Sequence, residues 1–220
     1  MLVQQKQNIK GLSLLEILVV LAIIGVIAGV GFPNFTKWQQ DRKVRAQTER
    51  IATVFTSATS QVERGVYPYV RVEITTENSK IKILAKGIKQ EKFSTELNNG
   101  HVPDCKVSPF FTSAEEIISY ELDDIKLSHL AENAGAAVCF SKGGKYFKLW
   151  NQADTQGNTT LEKDTKQFVA VCHHREKSCD AVSKSFNKDD KKPVYLVNYS
   201  RFGLVQKYKW NYAKEKWQSR

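Results

Sequence analysis

"KGLSLLEILVVLAIIGVIAGVGFP", residues 10–33, decides how this chain is read. From Leu14 to Phe32 the run is apolar apart from one charge, Glu16. A helix over that run would extend about 28 Å, close to the roughly 30 Å of a bilayer's hydrocarbon core. A carboxylate inside such a helix costs about 2.5–3.5 kcal/mol on insertion scales. One reason for it is local. Ser13-Leu14-Leu15-Glu16 fits the S-x-x-E capping box of a helix start, and an acid in the first turn complements the helix dipole. The run is too long for the apolar region of a cleaved secretory signal, and no small-x-small site closes it. Lys6 and Lys10 precede it without any acid, which points the N-terminus to the cytoplasm. Lys37, Arg42, Lys43 and Arg45 follow it, so charge bias alone does not fix the orientation.

The flanking residues give Glu16 a second reason. Lys10-Gly11, an apolar Leu12, Ser13, two leucines, Glu16, a long apolar run and then Phe32-Pro33 resemble the N-terminal signal of type IV pilins. The resemblance implies that a prepilin peptidase cuts between Gly11 and Leu12 on the cytoplasmic side and methylates the new amine of Leu12. Leu12 stands where the family usually has Phe. The resemblance also implies that the apolar helix is retained and becomes the core of a helical filament. Glu16 then matches the family's acidic fifth mature residue, Gly25 and Pro33 its helix-loosening positions, and Phe35 an aromatic just beyond. The physical need is plain. A charged amine entering an apolar core is very costly unless a carboxylate meets it, so Glu16 is expected to pair with the Leu12 amine of a neighbouring subunit.

Pro33 lacks an N–H and disfavours helix at the residue before it, so a kink or loosening is expected there. The charged "KWQQDRKVRAQTER" (37–50) suits a solvated neck. Ile51, Val54, Phe55, Ala58 and Val62 then recur at helical spacing and form one buried face. Gly65 and Pro68 end the helix. Beyond them the pattern turns to strands. "YVRVEIT" (69–75) and "KIKILAK" (80–86) alternate across a turn, and "KQFVAVC" (166–172) reads as another strand. Hairpins are expected over 136–150, turning at Gly143-Gly144, and over 193–210. The segment 114–130 mixes helical and strand spacing, and polar loops are read at 151–160 and 183–192.

The expected fold is therefore α+β: a long N-terminal helix from about 13 to 64, packed on an antiparallel β-sheet domain as in pilins and pseudopilins. Its divisions are a leader at 1–11, a membrane-spanning half at 12–32, a periplasmic half at 33–64 and a β-rich domain at 65–220. The hairpin order, with "CFSKGGK", a strand ending at Cys172 and a closing hairpin around Gly203, resembles the H-type pseudopilins of type II secretion and minor pilins of the FimT/FimU kind.

The chain has 220 residues, with 33 Lys+Arg against 23 Asp+Glu and a net charge of +10. That balance permits an anionic partner but does not specify one. Cys105, Cys139, Cys172 and Cys179 all follow the apolar run, so an exported domain would hold them oxidised. Of three pairings, Cys172 with Cys179 closes the shortest loop, leaving Cys105 with Cys139. No catalytic set, cofactor motif or metal-ligand spacing is readable. The histidines (His101, His129, His173, His174) stand near no nucleophile in any motif, and Gly143-Gly144 has no phosphate-loop context.

The C-terminal segment interleaves Arg201, Lys207, Lys209, Lys214 and Lys216 with Trp210 and Trp217, the composition of a single-strand nucleic-acid surface. The preferred reading is an edge hairpin, with Tyr208 and Trp210 inward and Lys207 and Lys209 facing water. Some minor pilins of the FimT kind bind DNA in natural transformation through a Gly-Arg-containing C-terminal motif, whereas here Leu204 follows Gly203. The leading expectation is a non-enzymatic minor pilin or pseudopilin. Its partners would be prepilin peptidase, the inner membrane in a single pass, and other pilins or pseudopilins in a helical filament or tip complex. A DNA-binding pilin and an unrelated anchored periplasmic domain are the alternatives.

Overall fold

The computed structural model describes residues 13–77, 80–128, 136–151, 167–177, 179, 186 and 191–219, with the side chains at 30, 31, 33, 34, 77, 150 and 151 outside that description. Gly11, Leu12 and His129 lie outside it, as do almost all of the loops expected at 151–160 and 183–192. The chain divides into two compact units, Met1–Gln39 and Gln40–Arg220.

Helix α1 (Leu14–Glu63) begins directly after Ser13, whose carbonyl accepts the first helical bond from Ile17 N–H at 3.2 Å. It is helical through position 33. In the second unit, the part of α1 beyond Gln40 buries Val44, Ile51, Val54, Phe55, Ala58 and Val62. That stripe repeats at three and four residues, as one face of a 3.6-residue helix must. Each large apolar side chain so buried contributes about 1.5–3 kcal/mol. Thr48, Thr53, Thr56 and Thr59 each turn their hydroxyl onto the carbonyl four residues back, which satisfies it within the helix. Gly65, at φ +73°, ends the element: its N–H bonds the Val62 carbonyl and Val66 N–H the Gln61 carbonyl.

This part of α1 lies on two antiparallel sheets of five strands each. The first has the order β3 (Glu115–Leu122), β2 (Lys80–Ile88), β1 (Tyr69–Glu77), β5 (Ala136–Ser141), β6 (Lys148–Asn151). The second has β10 (Lys216–Ser219), β9 (Val205–Asn211), β8 (Val194–Tyr199), β7 (Phe168–His173), β4 (Ile125–Ser128). The ambiguous segment 114–130 thus supplies an edge strand to each sheet, joined by a turn in which Asp124 takes φ 58°.

Strand periodicity sorts each sheet into two faces. Val70, Val72, Ile83, Val138 and Phe140 of the first sheet, and Val169, Val171, Tyr195, Val197 and Tyr199 of the second, join α1 in one core. Phe55 stacks on Tyr199 at 4.5 Å and meets Phe140 edge-on at 6.1 Å. The outer face of the first sheet carries Tyr69, Ile88 and Cys139 and is covered by α2 (Gln90–Asn98) and the loop after it, through Phe93, Cys105, Phe110 and Phe111. The outer face of the second carries Ala170, Cys172, Val194, Leu196, Trp210 and Trp217 and is covered in part by Phe186.

Two disulfides fasten these covers. Cys105 bonds Cys139 and Cys172 bonds Cys179, the pairing expected from loop length. The hairpins β5–β6 and β8–β9 also form as expected.

Candidate assembly surfaces

The first unit contributes an uncovered apolar helix. Leu14, Val26 and Phe32 are 76%, 71% and 71% exposed, and Leu15, Ile17, Leu18, Leu21, Ile23, Ile24 and Ile27 are exposed with them. Glu16 sits in the first turn, as the capping-box reading requires. Neither its carboxylate nor the Ser13 hydroxyl makes a hydrogen bond among the described residues, so the box is correct in position but not closed. At Gly25 an added Cβ would meet nothing within 4 Å. Phe35 and Trp38, half exposed, pair at 5.7 Å just beyond the apolar run. Among the described residues no helix is long and apolar enough to cross a membrane, and the run expected to span one (12–32) includes residue 12 and the side chains at 30 and 31, which lie outside the description.

The second unit places the C-terminal residues differently from the sequence reading. Lys207 and Lys209 are half-buried and ion-paired. Their strand presents them to α1, where Lys207 Nζ pairs with Glu49 and Lys209 Nζ with Asp41 at 2.5 Å. Asp41 also accepts the Tyr195 hydroxyl at 3.0 Å, and Lys209 lies over the Tyr195 ring at 5.4 Å. The helix-facing residues of β9 are therefore Val205, Lys207 and Lys209, and the acids that meet them lie more than 150 positions away in the chain. Trp210, on the other face, is buried between Phe186 at 5.1 Å and Trp217 at 5.2 Å. Neither lysine is a free cation, and the Trp210 ring has no open face for a base. Lys214 and Lys216 are exposed, with Asn211 Oδ1 accepting the Lys214 backbone N–H. Arg201 stands apart from them, on the β8–β9 turn.

Other buried polar groups pair within the second unit. Glu96, buried on α2, accepts from Lys92 at 2.5 Å and meets His101 Nδ1 at 2.8 Å, and these bonds hold its carboxyl below the usual range. Arg71, buried under the first sheet's cover, pairs with Glu73 at 2.5 Å, and burial lowers its guanidinium's affinity for a proton. His173 is buried with its affinity for a proton lowered by desolvation and by neighbouring His174, Lys192 and Arg175. Among the described residues no group of three or more His, Cys, Asp or Glu side chains is gathered to hold a metal.

An open groove of about 510 Å³ runs between α1 and β9, lined by Thr53, Thr56, Ser60, Arg64, Val205 and Lys207. Polar and apolar groups line it about equally, and the Lys207–Glu49 pair lies at its edge. The signal for these contacts was out of reach of local pattern: β10, which completes the hairpin edge and carries Trp217, is four residues long with one large apolar side chain.

The family model for the prokaryotic N-terminal methylation motif matches residues 6–32. The match spans Gly11, Leu12, Glu16 and Gly25 and stops one residue short of Pro33. No curated protein and no solved structure matches the chain.

Proposed function

We propose that this type IV pilin-like protein, marked by its prepilin-type signal at residues 6–32, is a minor pilin or pseudopilin. It is a structural subunit, cut between Gly11 and Leu12, N-methylated on Leu12 and assembled into a type IV pilus or a type II secretion pseudopilus. Before assembly its apolar helix anchors it in the inner membrane in a single pass, N-terminus in the cytoplasm and the 65–220 domain in the periplasm. The observation that carries this reading is a coincidence within one segment. The methylation motif covers the same residues whose apolar side chains stand exposed around the whole helix, with one unpaired acid at their start.

Such a surface is stable only where something apolar covers it, first lipid and then the helices of other subunits. Glu16 has no bond within its own chain among the described residues, which leaves its carboxylate for the methylated amine of a neighbour. Two disulfides suit a globular unit exposed outside the cytoplasm.

The test is incorporation. Glu16→Ala and Glu16→Gln chains, expressed with the other pilins of the same cell, should be cleaved and methylated normally yet fall at least about tenfold in the filament fraction, as loss of a buried charge partner predicts. Undiminished incorporation of both variants would overturn the assembly role of Glu16.

A further inference from the structure

At the β8–β9 turn two apolar side chains face solvent: Phe202 is 65% exposed and Leu204 59%. Exposure of single apolar residues is ordinary, but this turn is not slack. Ser200 fixes it through four bonds. Its Oγ accepts Phe202 N–H at 3.3 Å and Leu204 N–H at 3.1 Å, its carbonyl accepts Gly203 N–H at 3.0 Å, and its own N–H bonds the Leu204 carbonyl at 2.9 Å. Gly203, at φ +87°, lies so close to α1 that a Cβ there would sit 3.0 Å from Thr59. On the other side the turn rests on the β5–β6 turn, where a Cβ on Gly144, at φ +67°, would come within 2.9 Å of the Arg201 carbonyl. Two left-handed glycines thus bring together two turns distant in sequence and hold Phe202 and Leu204 outward.

The same contact gathers positive charge. Lys142 and Lys145 flank Gly144, and the Arg201 side chain lies against that glycine with its guanidinium 4.9 Å over the Phe202 ring. All three cations are exposed, and none makes an ion pair among the described residues.

We infer that the paired turns form a docking knob for a second protein, one that offers an apolar recess rimmed by carboxylates. An apolar centre of Phe and Leu with a polar rim, and an aromatic–Arg pair at its heart, is the anatomy of a protein interface. A nucleic acid would use the cations and stack on Phe202, but it has no use for Leu204, and the guanidinium already occupies one face of that ring. A second copy of this chain fits poorly, because each copy carries a net charge of +10. The inference rests on the assembly reading for its setting and adds to it a specific surface on the globular unit.

The test uses the full chain in its own cells, with a benzophenone side chain introduced at position 202 and, separately, at position 204. Illumination should give one discrete adduct with a different protein, cross-linked through a peptide rich in Asp or Glu. Adding Lys142→Glu, Lys145→Glu and Arg201→Glu together should lower that adduct about tenfold while leaving thermal unfolding unchanged, as expected for charges at an interface rim and centre. An adduct with another copy of the chain, with nucleic acid or with lipid, or no adduct in cells where the chain enters filaments, overturns the knob. Failure to enter filaments at all, with the knob adduct intact, would instead tell against the assembly reading.

Discussion

The two parts of α1 both carry large apolar side chains, and these have opposite fates. Over 51–62 the large side chains Ile51, Val54, Phe55 and Val62 are at most 1% exposed, each against strands of one sheet or the other. Over 14–29 Leu, Ile and Val lie on every side of the helix, and all of the large ones are close to half exposed or more. The second part has a polar back and an apolar stripe. The first has no polar back, apart from Glu16. A stripe specifies one partner surface within the chain, whereas an all-round apolar helix specifies an environment that surrounds it. The difference teaches that one helix can carry the instructions for two assemblies, one inside the subunit and one outside it.

The contrast breaks most sharply under truncation of single side chains. Phe55→Ala should cost about 3–5 kcal/mol in denaturant unfolding, because it empties the stack with Tyr199 and the edge contact with Phe140. Leu18→Ala, on the exposed part, should cost less than about 0.5 kcal/mol in the same experiment while reducing filament incorporation. Equal stability losses would mean that the first part is covered within the subunit after all.

Next in size come the disulfides. On loop length alone, removing the Cys105–Cys139 bridge, which spans 34 positions, should cost about 4 kcal/mol, and removing Cys172–Cys179, which spans 7, about 2 kcal/mol. Paired serine substitutions followed by thermal unfolding measure both, and neither should alter cleavage after Gly11.

Acid should act on the second unit through His173. Burial lowers its affinity for a proton below that of the unfolded chain, whose value is near 6.5. Above that pH both states are neutral and the residue contributes nothing. As pH falls through 6.5 the unfolded chain takes up a proton that the folded chain refuses, so stability declines until the folded value is reached. His173→Gln should flatten the fall in melting temperature between about pH 7 and pH 5. An unchanged profile would contradict it.

The smallest effect belongs to Tyr199. Its hydroxyl is buried with no hydrogen-bond partner among the described residues, and desolvation raises its affinity for its proton. Tyr199→Phe should therefore be neutral or stabilising by about 1 kcal/mol, as removal of an unsatisfied buried group predicts. A loss greater than that would reveal a partner for the hydroxyl.

Sequence pattern carried the helix, the hairpins and the cysteine pairing, because each depends on spacing within a short window. It missed α2, where Phe93 is the one large buried apolar side chain in nine residues. It also could not see two sheets, since the alternation of Glu115–Leu122 and Ile125–Ser128 does not say to which sheet each edge strand belongs. Lys207 and Lys209 show the limit most clearly. Alternation reveals that they share a face and that Tyr208 and Trp210 share the other. It cannot reveal that the lysine face meets α1, because that depends on Asp41 and Glu49 arriving from the far end of the chain. For the candidate site, the N-terminal motif was legible as a segment, which the methylation-motif model matches at residues 6–32, whereas the meeting of Gly144 with Arg201 exists only in three dimensions.

The most direct test of the central claim is the mass of the N-terminal peptide from chain recovered from its native membrane or filament. The account predicts a chain beginning at Leu12 and carrying one methyl group on its amine. A chain that retains residues 1–11, or that begins elsewhere without methylation, would contradict it.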